Sequence, residues 1–420
     1  MPRNFSGISI LMHSSRFRTM APLALLVILS LGFIYRSTRL DVGMQEDIYF
    51  IWRDGGLIAN GENPYERVLS GDMRENDKYS TYFPLFYLFV AATQFLGLKD
   101  FHAWIRLWQP TLLAFHLGIA LLLGYSCQRS RQPILGMVGV LFWTFNRWTL
   151  NVVRIAHIDF VPIFCLIASL LAFEKHRRAS FFLFGISVAV KQIAIFVAPL
   201  YLIWTWQSSR RVEIKARLTE MAHAVVCFAV VPFAISLPFL VWNPEAFIKS
   251  ILLSATRNPG GHFSDSSFGT FLGLYGIPAR LPMLLLMTLV IVAAAREQIG
   301  RYMSVLIIFS VFVDFSPVLF SQYMAWVVPF LILAACDQHE AITGPVAAPE
   351  TQTLSKGALT PLSWIAMVAG VLLVLLAILA YPLGLAHSSG FGWRRSLGVI
   401  IGLLSILFGY RGSRKSTEPR

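Results

Sequence analysis

The stretch from residue 41 to residue 83 concentrates carboxylates in a chain that is otherwise poor in them. It follows the first apolar run and contains the adjacent pair Glu46 and Asp47. A carboxylate beside a bound sugar can act as general base on a hydroxyl group. Asp47 is therefore a candidate catalytic base and Glu46 a candidate binding residue, with Asp41 and Asp54 as weaker candidates. The alternative is an ordinary solvated loop acid.

Two aromatic and proline-containing segments follow in the same stretch. The tripeptide Asn63-Pro64-Tyr65 is a turn signal, and Tyr79–Pro84 introduces the next apolar run. Tyrosine rings near a sugar site stack on the apolar face of the sugar, so Tyr65 and Tyr82 are candidate substrate-binding residues. Alternatively, these residues only form a turn and the start of a helix, and the two interpretations are compatible.

A second polar group occurs at the mouth of a later apolar run, where Arg154, His157 and Asp159 stand close together in sequence. These side chains could bind a substrate, or they could form a satisfied polar network within the bundle. The His-x-Asp pair is also a possible fragment of a metal site. No third ligand stands at a useful spacing, so we expect no metal here.

Lys191 interrupts an apolar run, and an isolated ammonium at membrane depth requires a partner. One interpretation makes that partner the phosphate of a lipid-borne substrate, and the other makes it a carboxylate such as Asp159. Splitting the run Ser180–Trp206 at Lys191 gives two short spans and places Lys191 at the outer surface. Further candidates for binding a phosphorylated donor are Arg257, His262, Gln322 and Tyr323.

The composition of the 420-residue chain is that of a membrane protein, with 56% hydrophobic and 14% charged residues and a mean hydropathy of +0.63. The apolar runs are continuous rather than alternating, which predicts helices rather than barrel strands. The net charge of +13 could indicate a nucleic-acid partner. However, Lys and Arg collect in short loops, as the positive-inside rule requires. We therefore expect an all-α polytopic membrane protein that binds no nucleic acid.

The four cysteines are scattered and contain no Cys-x-x-Cys pair. This spacing predicts packing residues rather than metal ligands or a disulfide framework. The cysteines are Cys127, Cys165, Cys227 and Cys336.

The charge pattern also predicts a topology. Basic residues before the first apolar run place the N-terminus in the cytoplasm and the loop 36–105 outside. Within that loop Phe83–Leu98 is expected to lie flat in the outer interface, because counting it as a span would move the arginines of later loops outside. About twelve spans then alternate, with both termini cytoplasmic. The predicted spans are Ala21–Tyr35, Arg106–Ser126, Pro133–Phe145, Ile158–Phe173, Ser180–Val190, Ile193–Trp206, Ala222–Trp242, Leu281–Ala295, Tyr302–Phe315, Gln322–Ala335, Pro361–Leu383 and Ser396–Tyr410.

The order and spacing of these features resembles the GT-C glycosyltransferases, in particular glycosyltransferase family 87 and the related glycolipid mannosyltransferases of the GPI pathway. The features that carry the resemblance are Asp47, Asn63-Pro64-Tyr65, Tyr82-x-Pro84, Arg154–Asp159, Lys191 and the SQYxxW of Ser321–Trp326. The chain departs from its relatives at Ala156-His157, where they often have Gly-Asn or Gly-Gln.

The resemblance covers roughly residues 21–335 and implies a GT-C-like catalytic domain over residues 1–335. The remainder is then a cytoplasmic linker, 336–360, and two accessory spans with a basic tail, 361–420. It also implies that Asp47 acts as base, without a metal or other cofactor, on a sugar donated by a polyprenyl phosphate on the outer leaflet.

From these features we expect an inverting hexosyltransferase in a bacterial-type cytoplasmic membrane, with its active site on the extracytoplasmic face. The hexose, with mannose the first choice, would pass from a polyprenyl-phosphate donor to a lipid-linked or cell-envelope glycan. A transporter or flippase of a lipid-linked sugar is the alternative, although no inverted repeat supports it. A polymerase or ligase that uses lipid-diphosphate oligosaccharides is a weaker alternative.

Overall fold

The computed structural model describes residues 15–37, 46–71, 78–130, 132–209, 213–256, 280–316 and 320–343. Within these ranges the chain is all-helical, with fifteen α-helices and no strand, as the continuous apolar runs predict. Two 3₁₀ helices, Gln192–Val197 and Ser321–Trp326, also contribute to the candidate site described below. The α-helices are α1 Ser15–Ser37, α2 Glu46–Ala59, α3 Arg67–Ser70, α4 Leu85–Phe95, α5 Phe101–Arg129, α6 Pro133–Phe145, α7 Arg147–Arg154, α8 Phe160–Ala172, α9 Arg177–Val190, α10 Ala198–Ser208, α11 Ile214–Trp242, α12 Pro244–Thr256, α13 Leu281–Ala295, α14 Arg301–Phe315 and α15 Val328–Thr343.

Two helices of the described part of the chain, α5 and α11, are long and apolar enough to cross a membrane. Only 17% of the apolar window of α11 is buried inside the protein. Its outward side chains include Val226 and Phe233, which are 63% and 60% exposed. Apolar side chains left at the surface in this number are suited to contact with lipid. These observations support association with a membrane, while the count of about twelve spans stays a prediction.

The helix α4 corresponds to the segment predicted to lie flat at the outer interface. It has eleven residues, so at about 1.5 Å per residue it is roughly 16 Å long and cannot cross a hydrocarbon core of about 30 Å. Phe95 and Leu96 at its C-terminal end are 72% and 85% exposed. A short helix that ends in exposed apolar side chains fits a position in the membrane interface.

The predicted interruption of the run at Lys191 is confirmed. Helix α9 ends at Val190, Lys191 adopts an extended backbone, and the 3₁₀ helix Gln192–Val197 leads into α10. Because the helix ends there, the Lys191 side chain can leave the α9 surface and enter the core of the bundle.

Arg36, at the C-terminal end of α1, is completely buried. Its Nε donates to the Thr144 carbonyl at 2.9 Å, and its Nη2 donates to Thr149 Oγ1 at 2.7 Å. Carbonyls in the last turn of a helix lack intrahelical partners, so Arg36 satisfies one at the end of α6. The contact fixes the C-terminal end of α1 against the end of α6.

The prediction that all four cysteines are packing residues is wrong for two of them. Cys127 at the end of α5 and Cys336 in α15 form a disulfide, with their Cα atoms 5.5 Å apart. The pair is separated by 209 residues, so only the packing of α15 against α5 brings it together, and local spacing cannot reveal it. Cys165 and Cys227 remain free.

Single cysteines at Lys99 and Arg296, in a background without the four native cysteines, test the predicted orientation. Both positions are exposed. Lys99 follows α4 on the predicted outer side, and Arg296 follows α13 on the predicted cytoplasmic side. In intact cells a membrane-impermeant thiol reagent should label Lys99→Cys at once and Arg296→Cys only after permeabilisation. The reverse pattern would invert the topology.

Candidate active site

A cavity of about 140 Å³ brings together four separate segments of the chain. These are α2, the segment 78–87 that leads into α4, the turn before α8 and the region of the 3₁₀ helix Ser321–Trp326. We call it the Asp47 cavity. Its polar lining residues are Asp47, Asp54, Lys78, Tyr79, Thr81, Tyr82, Tyr87, His157, Gln322 and Tyr323.

Asp47 is the second residue of α2, and its side chain is 38% exposed. Lys78 donates from Nζ to Asp47 Oδ1 at 2.8 Å. Burial would raise the pKa of the Asp47 carboxyl, but the charges of His157, Lys78 and Lys191 outweigh it and hold the pKa below its usual range. Asp47 is therefore an ionised carboxylate that is open to the cavity.

Asp54, about two turns further along α2, is in a different environment. Its side chain is 2% exposed, and its oxygens accept from Arg53 at 2.7 Å and from Ser80 at 2.6 Å. Burial raises the pKa of the Asp54 carboxyl despite these partners. Since both oxygens are engaged, Asp54 joins α2 to the segment before α4, and Asp47 is the carboxylate that remains available.

The segment that carries Lys78 and Tyr82 is held by hydrogen bonds to its backbone. Ser250 of α12 donates to the Ser80 carbonyl at 2.5 Å, and Gln192 donates to the Thr81 carbonyl at 2.6 Å. The Tyr65 hydroxyl donates to the Tyr82 carbonyl at 2.9 Å. These contacts from distant parts of the chain fix one wall of the Asp47 cavity.

A buried cluster of side chains around Asp159 lies behind that wall of the cavity. Asp159 is fully buried, and its Oδ1 accepts from Lys191 Nζ at 2.5 Å and from Trp326 Nε1 at 2.7 Å. His157 Nδ1 lies 2.6 Å from Asp159 Oδ2. We refer to these four residues as the Asp159 cluster. The carboxylate thereby fixes the orientation of the His157 ring, which also lines the cavity.

The turn that presents His157 contains a left-handed residue, Ala156, at φ 49°. This conformation costs a non-glycine residue about 1–2 kcal/mol. It is held by the Trp108 Nε1 hydrogen bond to the Ala156 carbonyl at 2.8 Å. A glycine would adopt this backbone freely, so the backbone conformation at position 156 is one that favours glycine.

Lys191 is 2% exposed and has several protein partners. Besides Asp159, its Nζ lies 5.5 Å from the ring centroids of both Tyr82 and Tyr323, a cation–π distance. Of the two interpretations of Lys191, the contacts favour the one in which Asp159 balances its charge. The same contacts place the lysine directly behind two tyrosines of the cavity wall.

The remaining predicted residues lie elsewhere. Tyr65 is fully buried among other aromatic rings and supports the cavity wall from behind. Glu46 and Arg154 are exposed, and Arg154 Nη2 lies 3.4 Å from Asn151 Oδ1 rather than in the cavity. Arg257 and His262 lie outside the described residues.

The residues of the site that the sequence does not identify include Lys78 and Trp326. Lys78 is next to the aromatic segment Tyr79–Pro84, and the sequence alone indicates only an ordinary loop lysine. Its contact with Asp47 appears only in the structure. Trp326 is the last residue of the SQYxxW motif, and this motif points to it in the sequence. Nothing in the motif identifies Asp159 as the partner of Trp326. Among the described residues, no group of three or more His, Cys, Asp or Glu could hold a metal ion.

Replacing Lys191 with methionine tests the Asp159 cluster. The variant keeps the apolar stem but leaves Asp159 a buried carboxylate without its lysine. Breaking such a pair costs about 3–5 kcal/mol, so the melting temperature in detergent should fall clearly. Lys249→Met is the matched control, because it removes an exposed pair with Glu245 that is worth about 0.3–0.5 kcal/mol. Equal melting temperatures for the two variants would show that the buried pair does not stabilise the bundle.

The case for a function rests on these residues and their contacts. No protein-family model matches this chain, and a search of the curated proteins finds no match.

Proposed function

We propose that the chain is an integral membrane hexosyltransferase that uses a polyprenyl-phosphate sugar as donor. The observation that carries the proposal is the Asp47 cavity, in which an ionised, accessible carboxylate faces tyrosine rings and a histidine. A carboxylate at such a position can take the proton of a sugar hydroxyl, and the tyrosine rings can stack on the apolar face of the sugar. The acceptor is a lipid-linked or cell-envelope glycan, and mannose is the first choice of sugar.

In the proposed reaction the Asp47 carboxylate takes the proton of an acceptor hydroxyl as its oxygen attacks C1 of the donor sugar. The bond between C1 and the phosphate oxygen breaks in line, so the anomeric configuration inverts. The leaving group is the polyprenyl phosphate, which departs as an anion and needs no proton from an acid catalyst. The tyrosines Tyr82 and Tyr323 would contact the sugar ring.

The departing phosphate needs positive charge near the cavity. Lys191 is engaged by Asp159, so its role in the proposal is to position Tyr82 and Tyr323. Lys78 lines the cavity directly, and Arg280, which directly precedes α13, is a half-buried cation near Tyr323. These two cations are the proposed phosphate contacts, together with the previously predicted Arg257 and His262.

His157 offers a second way to supply the base. A histidine whose Nδ1 is held by a carboxylate can accept a proton at Nε2, as in hydrolytic triads. The Asp159 cluster supplies that carboxylate, and His157 lines the same cavity as Asp47. We assign the base to Asp47 because it is the more exposed of the two, with its side chain 38% accessible against 1% for His157.

The finer architecture belongs to the same proposal. It comprises a GT-C-like bundle of about twelve spans, cytoplasmic termini and an active site at the extracytoplasmic face of a bacterial-type membrane. A flippase of a lipid-linked sugar would need the same polar residues along a path across the bilayer. Asp47, His157 and Tyr323 instead converge on one small cavity, which favours a reaction at a single site.

Asp47→Asn tests the assignment of the base. It removes a proton acceptor and keeps the shape of the side chain, so transfer from a labelled polyprenyl-phosphate hexose should fall by at least about 100-fold. Donor binding and melting temperature should change little. The control is Glu46→Gln, which removes the neighbouring exposed carboxylate outside the cavity and should retain activity. A loss below about tenfold in Asp47→Asn would transfer the role of base to another residue.

The pH dependence of kcat/KM separates the two candidate bases. Neighbouring cations lower the pKa of Asp47, so the carboxylate is ionised at neutral pH and loses its charge only below about pH 4. As pH falls from 8 to 5, kcat/KM should therefore stay level. An acidic limb between about pH 6 and 7 would indicate an imidazole base instead. That limb should then disappear in His157→Gln, if the variant retains activity.

A further inference from the structure

A second cavity, of about 440 Å³, lies at the opposite end of the hairpin formed by α8 and α9. Helix α8 begins beside the Asp159 cluster, and α9 returns to it at Lys191. The turn between them lines the second cavity. Since α9 has fourteen residues, the two cavities are separated by about 20 Å along its axis. We call the second cavity the basic cleft.

The basic cleft is rich in positive charge. Its walls are Lys175, His176, Arg177 and Arg178 from the turn and the start of α9, with Glu220 and His223 from α11. Three permanent cations and two histidines thus face a single carboxylate. The other nearby acid, Glu174, lies 3.4 Å from Arg301 Nη2. None of the ion pairs formed by the described residues involves a cation of the cleft.

The surroundings of the basic cleft are apolar and outward-facing. On α11, Val226 follows the cleft residues and is 63% exposed, and on α9, Phe182 follows them and is 48% exposed. In a membrane such side chains contact acyl chains, which places the cleft at the level of lipid headgroups. A concave group of cations at that level has the chemistry and the position to hold one phosphate.

We propose that the basic cleft is a binding site for a phosphate-bearing anion, occupied in the membrane by the headgroup of an anionic phospholipid. Arg177 and Arg178 offer guanidinium groups that hold phosphate oxygens in pairs, and Lys175 adds a point charge. The site is independent of the Asp47 cavity and of the reaction proposed there. Its effect would be to anchor the α8–α9 hairpin, whose other end carries the Asp159 cluster.

The experiment measures binding to the full-length chain in nanodiscs of neutral phosphatidylcholine. The probes are a short-chain phosphatidylglycerol as the lipid phosphate, and inorganic phosphate and pyrophosphate as the soluble ones, each followed by the shift in melting temperature. Two double variants are compared. Lys175→Gln with Arg178→Gln removes two charges from the cleft, and Arg129→Gln with Arg296→Gln removes two exposed charges from the same end of the bundle.

Phosphatidylglycerol should stabilise the wild-type protein, and the cleft variant should bind it at least about tenfold more weakly, since each cation near a phosphate adds about 1 kcal/mol. The control variant should change affinity by less than about twofold. Stabilisation by the soluble phosphates with the same dependence on the cleft would support the site but identify a soluble ligand. Equal loss in both double variants, or no response to any probe, would overturn the proposal.

Glu220→Gln should change the affinity for phosphatidylglycerol in the opposite direction. The proposal can therefore be tested even if the double variant of the cleft does not fold. It removes the single carboxylate of the cleft, so affinity for phosphatidylglycerol should rise by about threefold or more. Unchanged or weaker binding in Glu220→Gln would contradict the electrostatic basis of the site.

Discussion

The site depends on one buried carboxylate, Asp159. A charge in the interior of a bundle is costly unless it is paired and hydrogen-bonded. Asp159 satisfies this condition only when two distant parts of the chain, carrying Lys191 and Trp326, meet it beside the neighbouring His157. Because loss of any one partner leaves a buried charge incompletely compensated, the cluster specifies how the ends of α8 and α9 and the 3₁₀ helix Ser321–Trp326 are arranged.

The two carboxylates of this region carry out different tasks because their surroundings differ. Asp159 is fully buried, its Oδ1 accepts from Lys191 and Trp326, and His157 Nδ1 lies 2.6 Å from its Oδ2, so it is a structural anion. Asp47 stands at the start of a short helix, partly exposed, with a single lysine on one oxygen. The positive groups that Asp159 assembles also act on Asp47 and hold its pKa low. In this way the Asp159 cluster lowers the pKa of the Asp47 carboxyl without touching it.

Much of the fold could be predicted from local sequence, because apolar runs and their interruptions are local properties. Pro133–Phe145 and Leu281–Ala295 have the predicted bounds, and α9 ends just before Lys191 as expected. Contacts between side chains distant in sequence could not be predicted in this way, because they depend on tertiary packing. The contact of Trp326 with Asp159 and the disulfide between Cys127 and Cys336 join residues more than 160 positions apart, and no spacing rule reports such pairs.

The most direct test of the central claim follows the chemical fate of a donor in proteoliposomes. Purified protein is incubated with a panel of polyprenyl-phosphate hexoses, labelled in the sugar, together with a native lipid extract as source of acceptor. If the Asp47 cavity transfers sugar, the label should leave the polyprenyl phosphate of at least one donor and appear in a new glycolipid or glycan. A label that crosses the bilayer while still attached to its polyprenyl phosphate would contradict the account and identify a transporter.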